Sequence, residues 1–154
     1  MSSSAASGPA PISDHVRVLL EGTPIAFMTT VRPDGRLSTN PVSVLFDGDR
    51  LRVSTVRSRK KVRNLEADDR VTLCVVQPGN LNRYVEIRGR GIVEPDVDRA
   101  FINQIARTYM GVDEYPFDTV DDERVVVTVV PEQVSSPLVP LADDPPYSKP
   151  AAAT

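Results

Sequence analysis

The chain has no tryptophan, one histidine, one cysteine and only three lysines in 154 residues. The single Cys74 excludes an internal disulfide framework and leaves no thiolate pair for a metal. With His15 as the sole imidazole, the several convergent ligands that a metal centre needs are not in view. Cys74 sits in an apolar strand, Val71 to Val76, where a thiol behaves as a small hydrophobe. No run of about 18 apolar residues exists to cross a membrane as a helix. The stretch Met1 to Pro11 lacks the apolar centre of a signal peptide, so the simplest expected compartment is the cytoplasm. A net charge of −3 excludes a uniformly basic nucleic-acid binder.

The positive charge that is present is local. Seven of the 18 Lys and Arg residues lie between Arg50 and Arg63, and five crowd into Arg57, Arg59, Lys60, Lys61 and Arg63. This cluster follows a strand, Leu51 to Val56, and opens a short helix, Lys60 to Ala67. Backbone N–H groups at a helix start are unpaired, and the helix dipole adds positive potential there. Like charges about 6 Å apart repel by roughly 0.7 kcal/mol even in water, so a phosphate or carboxylate is favoured among them. The plainer reading is a solvated helix face.

At this length the chain is one domain. Residues 1–11 are rich in Ser, Ala, Gly and Pro, and residues 136–154 are rich in Pro. Both tails bury too little apolar surface to offset chain entropy and are expected to be disordered or loosely draped. The folded unit spans residues 12–135 and is mainly β with few helices. A helix covers Asp14 to Leu20, and strands cover Ile25–Val31, Leu37–Phe46, Leu51–Val56, Val71–Gln77, Arg83–Val93 and Glu123–Val130. Asp96 caps a helix running to Met110, with Phe101, Ile102, Ile105, Ala106 and Tyr109 as its apolar stripe and Gly111 as its stop. Tight turns between strands predict a six-stranded antiparallel barrel. Pro41 cannot donate a ladder hydrogen bond, so it marks an edge, a bulge or an opening in the ladder. An opened ladder beside an anion pocket is a berth for a flat ring. The acidic run Asp113, Glu114, Asp118, Asp121, Asp122 and Glu123 is either a solvated loop or a wall that disfavours anionic substrates.

The turn Asp34-Gly35-Arg36, the strand Val53-Ser54-Thr55, the segments Arg59-Lys60-Lys61 and Arg63-Asn64-Leu65, and Asp69-Arg70-Val71 entering the next strand together resemble the pyridoxamine 5′-phosphate oxidase-like split-barrel superfamily. The Arg-rich segment is most similar to its branch of actinobacterial deazaflavin-dependent reductases. The resemblance covers about Thr23 to Val130. It implies a homodimeric split barrel with two identical sites in the subunit groove. It implies that Arg59 and Lys61 hold the cofactor phosphate, with Lys60, Arg63 and Asn64 as neighbours, and leaves open whether Lys60 or Lys61 is the main ligand. Ser54, Thr55 and Val56 would line the ring and ribityl chain, and Asn40, Pro41, Val42 and Ser43 would meet the ring. Tyr84 would reach the cofactor from the other subunit, or else serve as a barrel or dimer contact. The further Arg and His residues that oxidase members use for pyridoxal phosphate have no counterpart here.

The implied activity is hydride transfer from reduced deazaflavin coenzyme F-420 to a small enone, quinone or tetrapyrrole-like substrate. No catalytic side chain or metal is assigned, and water is a sufficient proton source. The alternatives are an FMN-dependent oxidoreductase of the same fold, a non-catalytic flavin carrier, and a nucleic-acid contact, which the overall acidity opposes. Substrate choice is expected to reside in loops such as Pro78 to Asn82 and Gly111 to Asp122.

Overall fold

The structure is a computed structural model that describes residues 9–48 and 50–137. The tails expected over residues 1–11 and 136–154 therefore lie largely outside the described residues. At their inner ends, the Ala10 N–H donates to the Pro131 carbonyl (2.8 Å) and the Ser136 hydroxyl donates to the Tyr84 carbonyl (2.8 Å).

A first helix, α1 (Asp14–Leu20), is capped by Ser13, whose Oγ accepts from the Val16 N–H. It buries Val16, Leu19 and Leu20 against the sheet. Seven strands follow: β1 (Ile25–Val31), β2 (Leu37–Val42), β3 (Val44–Phe46), β4 (Leu51–Val56), β5 (Arg70–Gln77), β6 (Asn80–Pro95) and β7 (Arg124–Ser135). Helix α2 (Lys60–Ala67) lies between β4 and β5, and α3 (Ala100–Met110) between β6 and β7. All strand pairs are antiparallel, in the order β2-β1-β5-β6-β7-β4-β3. No helix among the described residues is long and apolar enough to cross a membrane.

The expected single strand Leu37–Phe46 is two strands, so the described sheet has seven and not six. The break falls at Ser43. Before it the chain pairs with β1, and after it with β4, at the opposite end of the sheet. One residue spans only a few ångströms, so the two sheet edges must lie together. The sheet is curled into a half-barrel by that constraint. Pro41 stands opposite Phe27 in the edge strand β2, where its missing N–H leaves no interior ladder bond unmade.

Alternation within strands builds the main core. Ala26 and Met28 of β1, Leu73 and Val75 of β5, Val85 and Ile87 of β6 and Val127 and Val129 of β7 point inward. A second cluster places Phe101, Ile102 and Ile105 of α3 against Val126. Helix α2 buries Val62 and Leu65, each worth about 1.5–3 kcal/mol when fully removed from water. Leu65 fits because Gly91 faces it: a Cβ there would lie 3.0 Å from Leu65 Cδ2.

The helix expected to start at Asp96 begins with a 3-10 turn, Val97–Arg99, before α3. Asp96 still caps it, since its carboxylate accepts from the Phe101 and Ile102 N–H groups, both at 2.9 Å. Gly111 ends α3 in the left-handed conformation (φ 70°). The stretch Pro78 to Asn82 is not a long loop: Gln77 pairs with Asn80 across a tight hairpin in which Gly79 supplies φ 82°.

Candidate functional site

The partner switch at Ser43 creates an opening. Val44, Leu45 and Phe46 cover Val53, Arg52 and Leu51 of β4, but the chain before Ser43 leaves to join β1. Ser54, Thr55 and Val56 therefore pair with β7 on one edge and have no strand on the other. Residues Asn40 to Ser43 and Ser54 to Val56 face a common groove of about 790 Å³. Its floor leads to the start of α2, through Ser58, Arg59, Lys60 and Lys61. Ile102 and Ile105 of α3, with Tyr115 and Arg124, complete the lining.

Charge in this groove has one sign. Arg59, Lys60, Lys61 and Arg124 line it, and no carboxylate does. Arg57 is occupied elsewhere, bonded to Glu123 (3.0 Å) and Glu66 (3.1 Å). Among the described residues, Arg59, Lys60 and Lys61 have no carboxylate partner. Burial pushes the Lys61 ammonium below the usual lysine range, and the Arg59 guanidinium adds to that shift. No side chain caps α2 at Arg59, so the helix start adds backbone donors to the same end of the groove. The Oδ1 of Asn40 is buried without a hydrogen-bond partner. A buried polar atom left unpaired is costly, so a bound N–H donor would stabilise it.

Arg124 is fixed from behind. Asp118 accepts from Arg124 Nη2 (2.6 Å) and Nε (2.7 Å) and from Arg99 Nη1 (2.6 Å). These bonds, that of Arg124 foremost, hold the Asp118 carboxyl below the usual carboxylate range despite its burial. The acidic run is thus neither fully solvated nor a wall of the groove. The Asp118 side chain is buried between two arginines, Glu123 pairs with Arg57, and Asp122 accepts from the Thr119 N–H.

The structure gathers Asn40, Pro41, Val42, Ser43, Ser54, Thr55, Val56, Arg59, Lys60 and Lys61 into the groove. Three other expected residues lie elsewhere within the chain. Asn64 is buried on the inner face of α2 and donates to Thr30 Oγ1 (3.0 Å), so it ties the helix to β1. Arg63 lines a 360 Å³ depression with Glu66, Asp121 and Glu123 that adjoins the groove through the shared Val56 and Ser58. Tyr84 lies on the outer face of β6, opposite Val76, and does not line the groove. Ser38, Ser58, Ile102, Ile105 and Arg124 line it without having been expected to, and Tyr115 lines it from the Gly111 to Asp122 loop expected to set substrate choice. For Ser38 a signal existed, because it shares a strand face with Asn40.

The family model described as pyridoxamine 5′-phosphate oxidase matches residues 12–136. The chain belongs to that family. A solved structure named F420 reductase is 34% identical to this chain, covering 82% of it and 98% of its own length, with a TM-score of 0.71. The General Stress Protein 26 of Bacillus anthracis str. Sterne is 17% identical, over 80% of this chain and 91% of its own, with a TM-score of 0.61. A pyridoxamine 5′-phosphate oxidase-related, FMN binding protein of Nostoc punctiforme is 15% identical, over 71% of each chain, with a TM-score of 0.51. The last two share the fold. No curated protein matches this chain.

Proposed function

We propose that the protein is an oxidoreductase that uses reduced deazaflavin coenzyme F-420 to reduce a small unsaturated compound, an enone, quinone or tetrapyrrole-like acceptor. The observation that carries this reading is the groove itself: a slot between two strand ends that runs into three cations without a carboxylate partner. The 34% identity to a protein named F420 reductase favours the deazaflavin over FMN.

The residues present fit such a coenzyme. Arg59, Lys60 and Lys61 would hold its phosphate by charge-assisted hydrogen bonds, each about twice the strength of a neutral one. Asn40 Oδ1 would accept from a ring N–H and so gain the partner it lacks. Val42, Val56, Ile102 and Ile105 would supply apolar contacts and exclude water. The coenzyme, when bound, supplies the hydride chemistry. The protein's part is to seat the acceptor against the ring, at roughly 3–3.5 Å between reacting atoms. Water is a sufficient proton source, and no side chain is given that role.

The same reading includes a homodimer. Cross-strand neighbours point to one face of a sheet. The registers Ile25–Val76–Tyr84 and Pro41–Phe27–Cys74–Glu86 therefore place Ile25, Phe27 and Tyr84 on one outer face, where they are 44%, 39% and 38% exposed. A second copy packed there would cover these side chains and bring Tyr84 of each subunit toward the other's groove.

The test is equilibrium titration of the purified protein with coenzyme F-420 and with FMN, followed by an acceptor screen with whichever binds. Tight F-420 binding with acceptor-dependent oxidation of the reduced coenzyme is expected. Retained FMN would make it an FMN oxidoreductase, and tight binding without turnover would make it a carrier. Binding of neither would overturn the reading.

A further inference from the structure

Segment 112–123 joins α3 to β7, and its inner side is more elaborate than a connection requires. The Asp118 side chain is only 6% exposed. Burying a carboxylate is costly unless it is paired and fully hydrogen-bonded, and here both oxygens are engaged by Arg99 and Arg124. Arg99 and the preceding Asp98 hold φ of 59° and 55°, the left-handed region that non-glycine residues rarely occupy. Backbone strain of this kind persists where surrounding contacts over-determine it and clusters at ligand clamps. The strained turn coincides with a contact to the groove wall: Arg99 donates to both Asp118 and the Tyr115 carbonyl (3.2 Å). Arg124 then stacks over the Tyr115 ring, 4.8 Å from its centroid, and the Asn103 Oδ1 accepts from the Tyr115 N–H (3.0 Å). Arg99, Arg124 and Asn103 thus each contact Tyr115, a lining residue, and Asp118 holds the two arginines.

Resting on the coenzyme reading above, we propose that Asp118 is a positioning residue for the ring half of the groove: clamped between Arg99 and Arg124, it fixes Tyr115 as part of the ring-binding wall. Asp118 does not line the groove and acts by holding Arg124 against the Tyr115 ring. The phosphate half, built on Arg59 to Lys61, is independent of it.

The experiment uses the full chain and three probes: coenzyme F-420, the phosphate-free ring compound 8-hydroxy-5-deazariboflavin, and inorganic phosphate as a competitor. Asp118→Asn is expected to weaken the phosphate-free ring by about five- to tenfold, within the range of coupling between contacting residues. Inhibition by inorganic phosphate should stay within about twofold. In a Tyr115→Ala background, Asp118→Asn should add less than about twofold, because the group it acts through is gone. Arg99→Gln removes one arm and keeps the Arg124 pair, so it should give a smaller loss in the same direction if Asp118→Asn does not fold. Unchanged ring affinity overturns the proposal. So does an equal loss for ring and phosphate, or a loss undiminished without Tyr115. If the wild type binds none of the three probes, the coenzyme reading falls and takes this one with it. If the wild type binds them and the variants match it, only the clamp falls.

Discussion

At the scale of single residues, Lys61 and Asn64 occupy one short helix and do opposite things. Lys61 is half-buried, lines the groove and has its ammonium pushed toward neutrality by burial and by Arg59. Lys61→Ala should therefore weaken a phosphate-bearing coenzyme by about 1.5–3 kcal/mol, the range for a hydrogen bond to a charged group, as read by equilibrium titration. A bound anion favours protonated Lys61, so binding should take up protons as pH approaches the lowered pKa, and affinity should fall as pH rises through it. Calorimetry in two buffers of different ionisation enthalpy would count those protons. In the free protein the sign for stability is reversed. The folded state holds the proton less tightly than the unfolded chain, so the penalty of the buried charge is relieved between the lowered pKa and the ordinary one. Asn64 carries no such charge and donates to Thr30 inside the fold. Asn64→Ala should lower stability by about 1–3 kcal/mol by leaving Thr30 unpaired, while coenzyme affinity stays unchanged. The sequence placed both residues beside the phosphate because spacing along a helix does not reveal which face is buried when polar residues occupy both. Arg59, Lys60 and Lys61 were legible because local charge density and a helix start are both written in consecutive residues. Arg124 was not, because its place at the groove follows from the pairing of β7 with β4, whose partners are remote in sequence, and Tyr115 was legible only as part of the Gly111 to Asp122 loop, because its hold by Arg99 and Asn103 spans more than ten residues.

At the scale of elements, local signals and long-range ones separate in the same way. Helices α1 and α2 and strands β1 and β4 were readable to their ends, because a cap, a turn or an alternating apolar run marks each boundary. The break at Ser43 was not readable, since nothing in Leu37–Phe46 tells which strand each half will join. Pro41 gave half of that answer, an edge or an opening, and the fold contains both. The glycines of β6 test the packing. A Cβ at Gly89 would overlap the Val130 carbonyl oxygen and lie 2.8 Å from the Val130 carbonyl carbon, at the bulge where β6 shifts against β7. Backbone cannot move aside as a side chain does. Gly89→Ala should destabilise the protein by about 3 kcal/mol or more, the upper range for forced overpacking, in chemical denaturation. Gly91→Ala meets chiefly the flexible Leu65 side chain and should cost less. A larger loss at Gly91 than at Gly89 would contradict this account of the β6–β7 contact.

At the scale of the whole molecule, a curled sheet with one edge switching partners leaves two features exposed: the groove at the switch and the apolar outer face around Phe27. The proposed homodimer links them. Phe27→Glu places a charge at the centre of that face without entering the core, where Ala26 and Met28 point. It should convert a dimer to a monomer in sedimentation at micromolar concentration and weaken coenzyme binding together with assembly. A wild-type monomer at that concentration would contradict the shared-site arrangement. The most direct measurement of the central claim is the affinity ratio between the phosphate-bearing coenzyme and its phosphate-free ring compound, compared in the wild type and in Arg59→Ala/Lys61→Ala. The account predicts a ratio of about ten or more in the wild type that collapses toward one in the double variant. The same ratio in both proteins would contradict it.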